Sequence, residues 1–135
     1  MFKRALFLGI ASGILAGIGG EVYNRIYHFA TETDFSRIIN PVSIFSICIG
    51  ACVLASIAYW AFDRLFRHRA DIIFNLVFAF ATYASIMSPL TMKLPLEIQN
   101  PELFPGLAIP MHFLPVLAWL VLKPVFIKSK YVKIN

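Results

Sequence analysis

The sequence has few charged residues for its length. Of its 135 residues only 14% are Asp, Glu, Lys or Arg, whereas 59% are hydrophobic and the mean hydropathy is +0.76. A soluble domain is about 25% charged and 45–50% apolar, so this chain has more apolar material than a soluble domain of its size can bury. We therefore predict a single membrane domain over residues 1–135, with no room for an appended soluble enzyme.

Side chains that hold metals or build catalytic centres are also scarce. Cys48 and Cys52 lie one helical turn apart in an apolar run, without the further Cys, His or acidic ligands that a metal site needs. His28, His68 and His112 fall at different depths, which disfavours a haem with two axial histidines. No nucleotide loop and no nucleophile–base spacing is recognisable. We expect no metal and no cofactor; an enzyme that uses His112 as a base on a lipid is a third hypothesis.

Long apolar runs take up most of the chain. Each has the roughly 20 residues that a helix needs to cross a hydrocarbon core of about 30 Å. The first run begins as a secretory signal would, and we interpret it as an uncleaved span. The short connection RLFRHRAD makes the second and third runs an antiparallel hairpin. The expected fold class is all-α: a polytopic membrane protein with four transmembrane helices in an up-down bundle, at about residues 5–29, 42–64, 71–92 and 104–123.

The positions of Lys and Arg predict that both termini are cytoplasmic. They flank apolar runs and form no basic stripe with interleaved aromatics, so the net charge of +5 does not indicate nucleic-acid binding. Nine lie on the side of the termini and the middle connection, against three on the other side. We place the chain in the bacterial inner (cytoplasmic) membrane, multi-pass, N-in/C-in, with the lipid bilayer as partner. The nine are Lys3, Arg4, Arg64, Arg67, Arg69, Lys123, Lys128, Lys130 and Lys133; the three are Arg25, Arg37 and Lys93.

Acidic residues on the cytoplasmic side are few. Asp63 and Asp71 flank the arginines of the middle connection. The simplest expectation is that each forms a local ion pair with these arginines, which is a structural role.

Small residues form a row along the first span. Gly9, Gly13 and Gly17 recur every four residues, with Gly20 in a second row beside them. Hydrophobicity does not drive helices together in lipid, and rows of this glycine-zipper kind permit close backbone approach. We predict that this face meets protein.

The same row continues into charged residues. Glu21 and Arg25 are the next positions in steps of four, with Asn24 beside them. At this spacing the two charges can pair, and we expect the helix that meets the glycines to shield them from lipid. Two interpretations remain open, a structural ion pair or a functional pair that lines a polar cavity.

The fourth span contains two prolines. Pro110 and Pro115 each remove an amide donor and free the carbonyl four residues earlier, so we expect hinges there. His112 lies between them, and Trp119 follows one heptad later on the same face. The imidazole can donate to a freed carbonyl of a neighbouring helix, or it can bind a ligand or carry protons beside the broken backbone.

The segment NPELFPGLAIPMHFLPVLAWLVLKP, the loop SPLTMKLPLEIQNPELFPG and the glycine row carry a resemblance over nearly the whole length. The chain resembles small, uncharacterised four-span integral membrane proteins of bacteria, which implies the fold and location given above and no activity.

Two functions follow from these patterns. The first is a non-enzymatic small-molecule or ion binding or transport bundle, in which Glu21, Asn24, Arg25, His112 and Trp119 are ligand candidates around a polar cavity near the outer side. The alternative is a structural or accessory subunit that oligomerises or docks onto a larger membrane complex through its glycine-rich first helix.

Overall fold

The computed structural model is all-helical. It describes residues 2–127, residue 68 by its backbone alone; Lys128, Lys130 and Lys133 of the charge argument lie outside that range. Four helices are each long and apolar enough to cross a membrane, which confirms this part of the expected fold class. They are α1 (Phe2–Thr31), α2 (Pro41–Phe66), α3 (Ala70–Thr91) and α4 (Phe104–Phe126), with short 3-10 turns at Arg67–Arg69 and Pro101–Leu103.

The ends of the helices follow local sequence signals. Asn40 caps α2, because its Oδ1 accepts a hydrogen bond from the Ser43 N–H at 2.8 Å while Pro41 takes the first helical position. α1 ends before Glu32, whose φ of 53° is a left-handed conformation that few residues other than glycine adopt. α1 and α2 extend beyond the predicted spans at both ends, since helical hydrogen bonding continues into polar residues that hydropathy does not select.

The glycine row of α1 lies against α2. A Cβ added to Gly13 would lie 2.6 Å from Ile49 Cα, and one added to Gly17 would lie 2.5 Å from the Phe45 ring. Glycines with higher residue numbers on α1 contact residues with lower numbers on α2, so these two helices are antiparallel. The glycine row of α1 is therefore occupied by α2.

We name the two ends of the bundle by the connections that lie there. The hairpin end is where Arg67–Arg69 join α2 to α3. The loop end is where the connections 32–40 and 92–100 lie. At the loop end Phe35 packs against Phe104, Leu107 and Ala108 of α4, and this cluster closes that end of the bundle.

α3 is the peripheral helix of the bundle. Within residues 2–127 it packs against α2 and α4 and not against α1. Its firm contact is at the hairpin end, where the Phe74 ring packs against Tyr59 and Trp119. Farther toward the loop end its buried residues are Thr82 and Pro89. This half of α3 therefore borders open space.

Candidate functional site

The larger cavity lies between α2, α3 and α4, in the half of the bundle toward the loop end. We call it the interhelical cavity; its volume is about 510 Å³, within the range of small-molecule sites. Most of its wall is apolar, formed by Ile, Ala, Met, Phe and Pro side chains. Five polar side chains with hydroxyl or imidazole groups interrupt that wall: Ser43, Thr82, Ser85, Ser88 and His112.

Three of these polar groups bond to the backbone of their own helix. His112 Nδ1 lies 2.7 Å from the Ala108 carbonyl oxygen one turn earlier. The Thr82 hydroxyl donates to the Phe78 carbonyl at 2.9 Å, and the Ser85 hydroxyl donates to the Thr82 carbonyl at 2.7 Å. The bonds hold these three side chains against their own helices.

His112 does not bond to a carbonyl of a neighbouring helix, which was one of the predicted roles. Pro110 frees the Gly106 carbonyl of α4, and the Tyr23 hydroxyl of α1 donates to it at 2.9 Å. Because α1 supplies this donor, the imidazole is not needed at the Gly106 carbonyl. Pro110 and Pro115 both lie inside the continuous α4.

A second cavity lies at the loop end, which we call the loop-end cavity. Its volume is about 230 Å³. Asn24, Arg25 and His28 of α1 line it together with residues 33–36 of the following connection. The His28 imidazole bonds to the Thr33 carbonyl. Ser36 N–H bonds Asp34 Oδ1 at 2.8 Å, and this bond lowers the pKa of the Asp34 carboxyl.

The predicted ion pair between Glu21 and Arg25 forms, with 2.8 Å between Arg25 Nε and Glu21 Oε1. The expected shielding holds for one partner alone. The Glu21 side chain is 16% exposed, and its Oε2 has no hydrogen-bond partner within the described range, whereas the Arg25 side chain is 78% exposed. Arg25 lies one turn beyond the glycines, where the covering helix has ended, and therefore extends toward the loop-end cavity.

The five ligand candidates do not share one cavity. Asn24 and Arg25 line the loop-end cavity and His112 lines the interhelical cavity, while Glu21 and Trp119 line neither. Glu21, Arg25 and His112, which the first hypothesis placed around one polar cavity, therefore do not line the same space, and residues of the aromatic cluster around Phe35 contribute to the walls of both cavities.

Trp119 is a core residue in the structure. It is fully buried, and its ring packs against Tyr59, Phe74 and Phe78. Its Nε1 has no hydrogen-bond partner within residues 2–127. Trp119 thus helps to hold α3 at the hairpin end rather than line a site.

A polar cluster that the sequence reasoning missed lies at the hairpin end. Lys123 Nζ is 3.0 Å from Asp71 Oδ1 and 3.1 Å from Asn75 Oδ1, and the Tyr59 hydroxyl donates to Asp71 at 2.6 Å. The expected local pairing of Asp71 with the arginines was therefore wrong. The usable signal was that Asp71 begins one predicted span and Lys123 ends another, which places both charges at the same end of antiparallel helices.

Metal ligands do not gather anywhere in residues 2–127, where no group of three His, Cys, Asp or Glu side chains is suitably placed. Cys48 and Cys52 are both free and buried. The comparisons with known proteins identify no relative: no family model, no curated protein and no solved structure matches this chain.

Proposed function

We propose that this chain is a non-enzymatic membrane protein that binds, and by that binding transports or presents, a small molecule held in the interhelical cavity. The observation that carries the proposal is the cavity of about 510 Å³ between α2, α3 and α4. Membrane helices that serve only to pack gain stability by filling such a space with side chains, since every unfilled contact is lost dispersion energy.

The composition of the wall supports a ligand from the bilayer. An apolar wall with a few polar groups is typical of small-molecule sites, in which the apolar surface supplies affinity and the polar groups fix orientation. His112 is the ninth residue of the 23-residue α4, so its ring lies well inside the segment that crosses the hydrocarbon. An ionisable side chain at such a depth is costly and is usually kept for a function.

The loop-end cavity supports the proposal less well. It is less than half as large, and Arg25 beside it already has a carboxylate partner in Glu21. A structural ion pair at the end of α1 accounts for these two residues.

We further propose an up-down bundle in the bacterial inner membrane with both termini in the cytoplasm. The support is the distribution of basic residues. Six of those in the described range flank the hairpin end, and three lie toward the loop end, which the positive-inside rule assigns to the outside. In this orientation the interhelical cavity belongs to the outer half of the bundle.

Replacing Ala81 by Phe tests the function. Ala81 and Ala84 are both exposed residues of α3, but only Ala81 lines the interhelical cavity, so Ala84→Phe is the matched control. The protein is purified from native membranes in mild detergent, and its organic extract is analysed by mass spectrometry. We expect the wild type and Ala84→Phe to retain one small apolar molecule in near-stoichiometric amount, and Ala81→Phe to lose it.

Equal retention by both variants would contradict the proposal, as would the absence of any enriched molecule from the wild type. Monodisperse gel-filtration profiles of both variants show that a loss in Ala81→Phe is not the result of unfolding.

A further inference from the structure

We infer that the interhelical cavity selects ligands that carry a hydrogen-bond donor, and that its ligand is an apolar-chained alcohol or phenol from the membrane whose hydroxyl donates to His112 Nε2. This inference rests on the proposed function and adds the chemical class of the ligand. It follows from the hydrogen bonds that the polar side chains of the cavity already make.

The Ala108 carbonyl fixes the state of the His112 imidazole. A carbonyl oxygen only accepts hydrogen bonds, so Nδ1, at 2.7 Å from it, must carry the hydrogen. No acidic side chain is among the residues found to line this cavity, so a charged ring would have no carboxylate to neutralise it there. In the neutral ring with its hydrogen on Nδ1, Nε2 has a lone pair and no hydrogen. It is an acceptor.

The neighbouring hydroxyls on α3 are committed in the same way. Thr82 donates its hydrogen to the Phe78 carbonyl, and Ser85 donates its hydrogen to the Thr82 carbonyl. The lone pairs of both oxygens remain available. His112, Thr82 and Ser85, on two helices of the cavity wall, therefore each offer an acceptor to a ligand.

Because these three groups present acceptors in an apolar space, they favour a ligand that carries a hydrogen-bond donor. A hydroxyl or amine hydrogen satisfies one of these groups, whereas an ether, ester or quinone brings further acceptors that face lone pairs without a hydrogen between them. The apolar wall requires that the rest of the ligand be hydrocarbon. A charged amine is disfavoured, because no carboxylate among the described lining residues would neutralise it. An alcohol or phenol on an apolar chain meets all three conditions.

Farnesol and farnesyl methyl ether are a matched pair of probes for this inference. They share the same chain, and the ether lacks the donor. Full-length protein is reconstituted in nanodiscs of phosphatidylethanolamine and phosphatidylglycerol, and each unlabelled probe competes with tritiated farnesol, with binding to empty nanodiscs subtracted. We expect farnesol to compete about 3- to 10-fold more tightly than the ether, which is the range for one net hydrogen bond.

Two substitutions of His112 test whether this side chain causes the preference for farnesol. His112→Phe removes the acceptor and should make both probes bind with equal affinity, whereas His112→Gln restores a carbonyl acceptor and should keep the preference for farnesol. Tyr83→Phe is the control, because Tyr83 is exposed on α3 and does not line the cavity. It should leave the ratio unchanged.

Equal competition by alcohol and ether in the wild type would overturn the inference, as would a preference that survives His112→Phe or a failure of farnesol to bind. If His112→Phe does not fold, the ratio of the two probe affinities in the wild type and in His112→Gln still tests the inference. The proposed function is judged separately: if Ala81→Phe loses a co-purifying molecule while the two probes compete alike, the cavity binds a ligand and only the donor requirement is wrong.

Discussion

Two tyrosine hydroxyls of α1 donate hydrogen bonds to backbone carbonyls at the start of α4, and only one of these carbonyls lacks a helical partner. Tyr23 donates to the Gly106 carbonyl, which has no helical partner because residue 110 is proline. Tyr27 donates to the Leu103 carbonyl at 2.7 Å, at the N-cap position whose carbonyl already accepts the first helical hydrogen bond. In hydrocarbon an unpaired carbonyl has no water to bond, so the first tyrosine removes a penalty and the second only adds a bond.

A double-mutant cycle of Tyr23 and Pro110 tests this role. Tyr23→Phe strands the Gly106 carbonyl and should lower the free energy of unfolding by about 1–2 kcal/mol. In a Pro110→Ala background residue 110 supplies the missing amide, so the same change should cost about 0.5 kcal/mol or less. Reversible unfolding in mixed micelles measures both values.

Tyr27→Phe is the matched control for that cycle, because the carbonyl it releases does not depend on Pro110. Its cost should be the same in both backgrounds. A cost of Tyr23→Phe that is unchanged by Pro110→Ala would show that the hydroxyl does not act through the freed carbonyl.

At the scale of the helices, α1 packs against α2 so closely that a glycine of α1 lies against the backbone of α2. A Cβ at Gly13 would meet the Ile49 backbone, which cannot move without shifting α2. At Gly17 the nearest atoms belong to the Phe45 ring, a side chain that can rotate. Gly50 on α2 has nothing within 4 Å of its Cβ position among the described residues. The same substitution should therefore differ in effect between these sites.

Gly13→Ala and Gly50→Ala form a matched pair for the helix contact. Gly13→Ala should destabilise the bundle by about 1–3 kcal/mol through overpacking. Gly50→Ala should be neutral or stabilise by up to about 1 kcal/mol, because alanine favours a helix and meets no atom. Unfolding of the two variants in the same micelles measures the difference, and equal effects would mean that α1 does not approach α2 as closely as the structure shows.

At the scale of the whole molecule, sequence reasoning succeeded where interactions are local. A span needs about 20 apolar residues, so hydropathy located four helices. The predicted Glu21–Arg25 pair joins residues four apart, and the geometry of a helix brings such residues together.

The candidate site was predicted poorly because it depends on how the helices rotate and diverge. One hypothesis placed Arg25 and His112 around the same cavity, whereas in the structure they line separate cavities. The Asp71–Lys123 bond joins residues 52 positions apart, beyond any local pattern. The interhelical cavity itself results from the peripheral position of α3, which no periodicity of the sequence encodes.

A density map of the full chain in lipid nanodiscs tests the central claim most directly. The account predicts elongated density in the interhelical cavity, with its polar end about 2.7–3.2 Å from His112 Nε2, the distance of a hydrogen bond. A map in which α3 closes against α2 and α4 so that side chains fill the space, or in which bound density lies only beside Arg25, would contradict it.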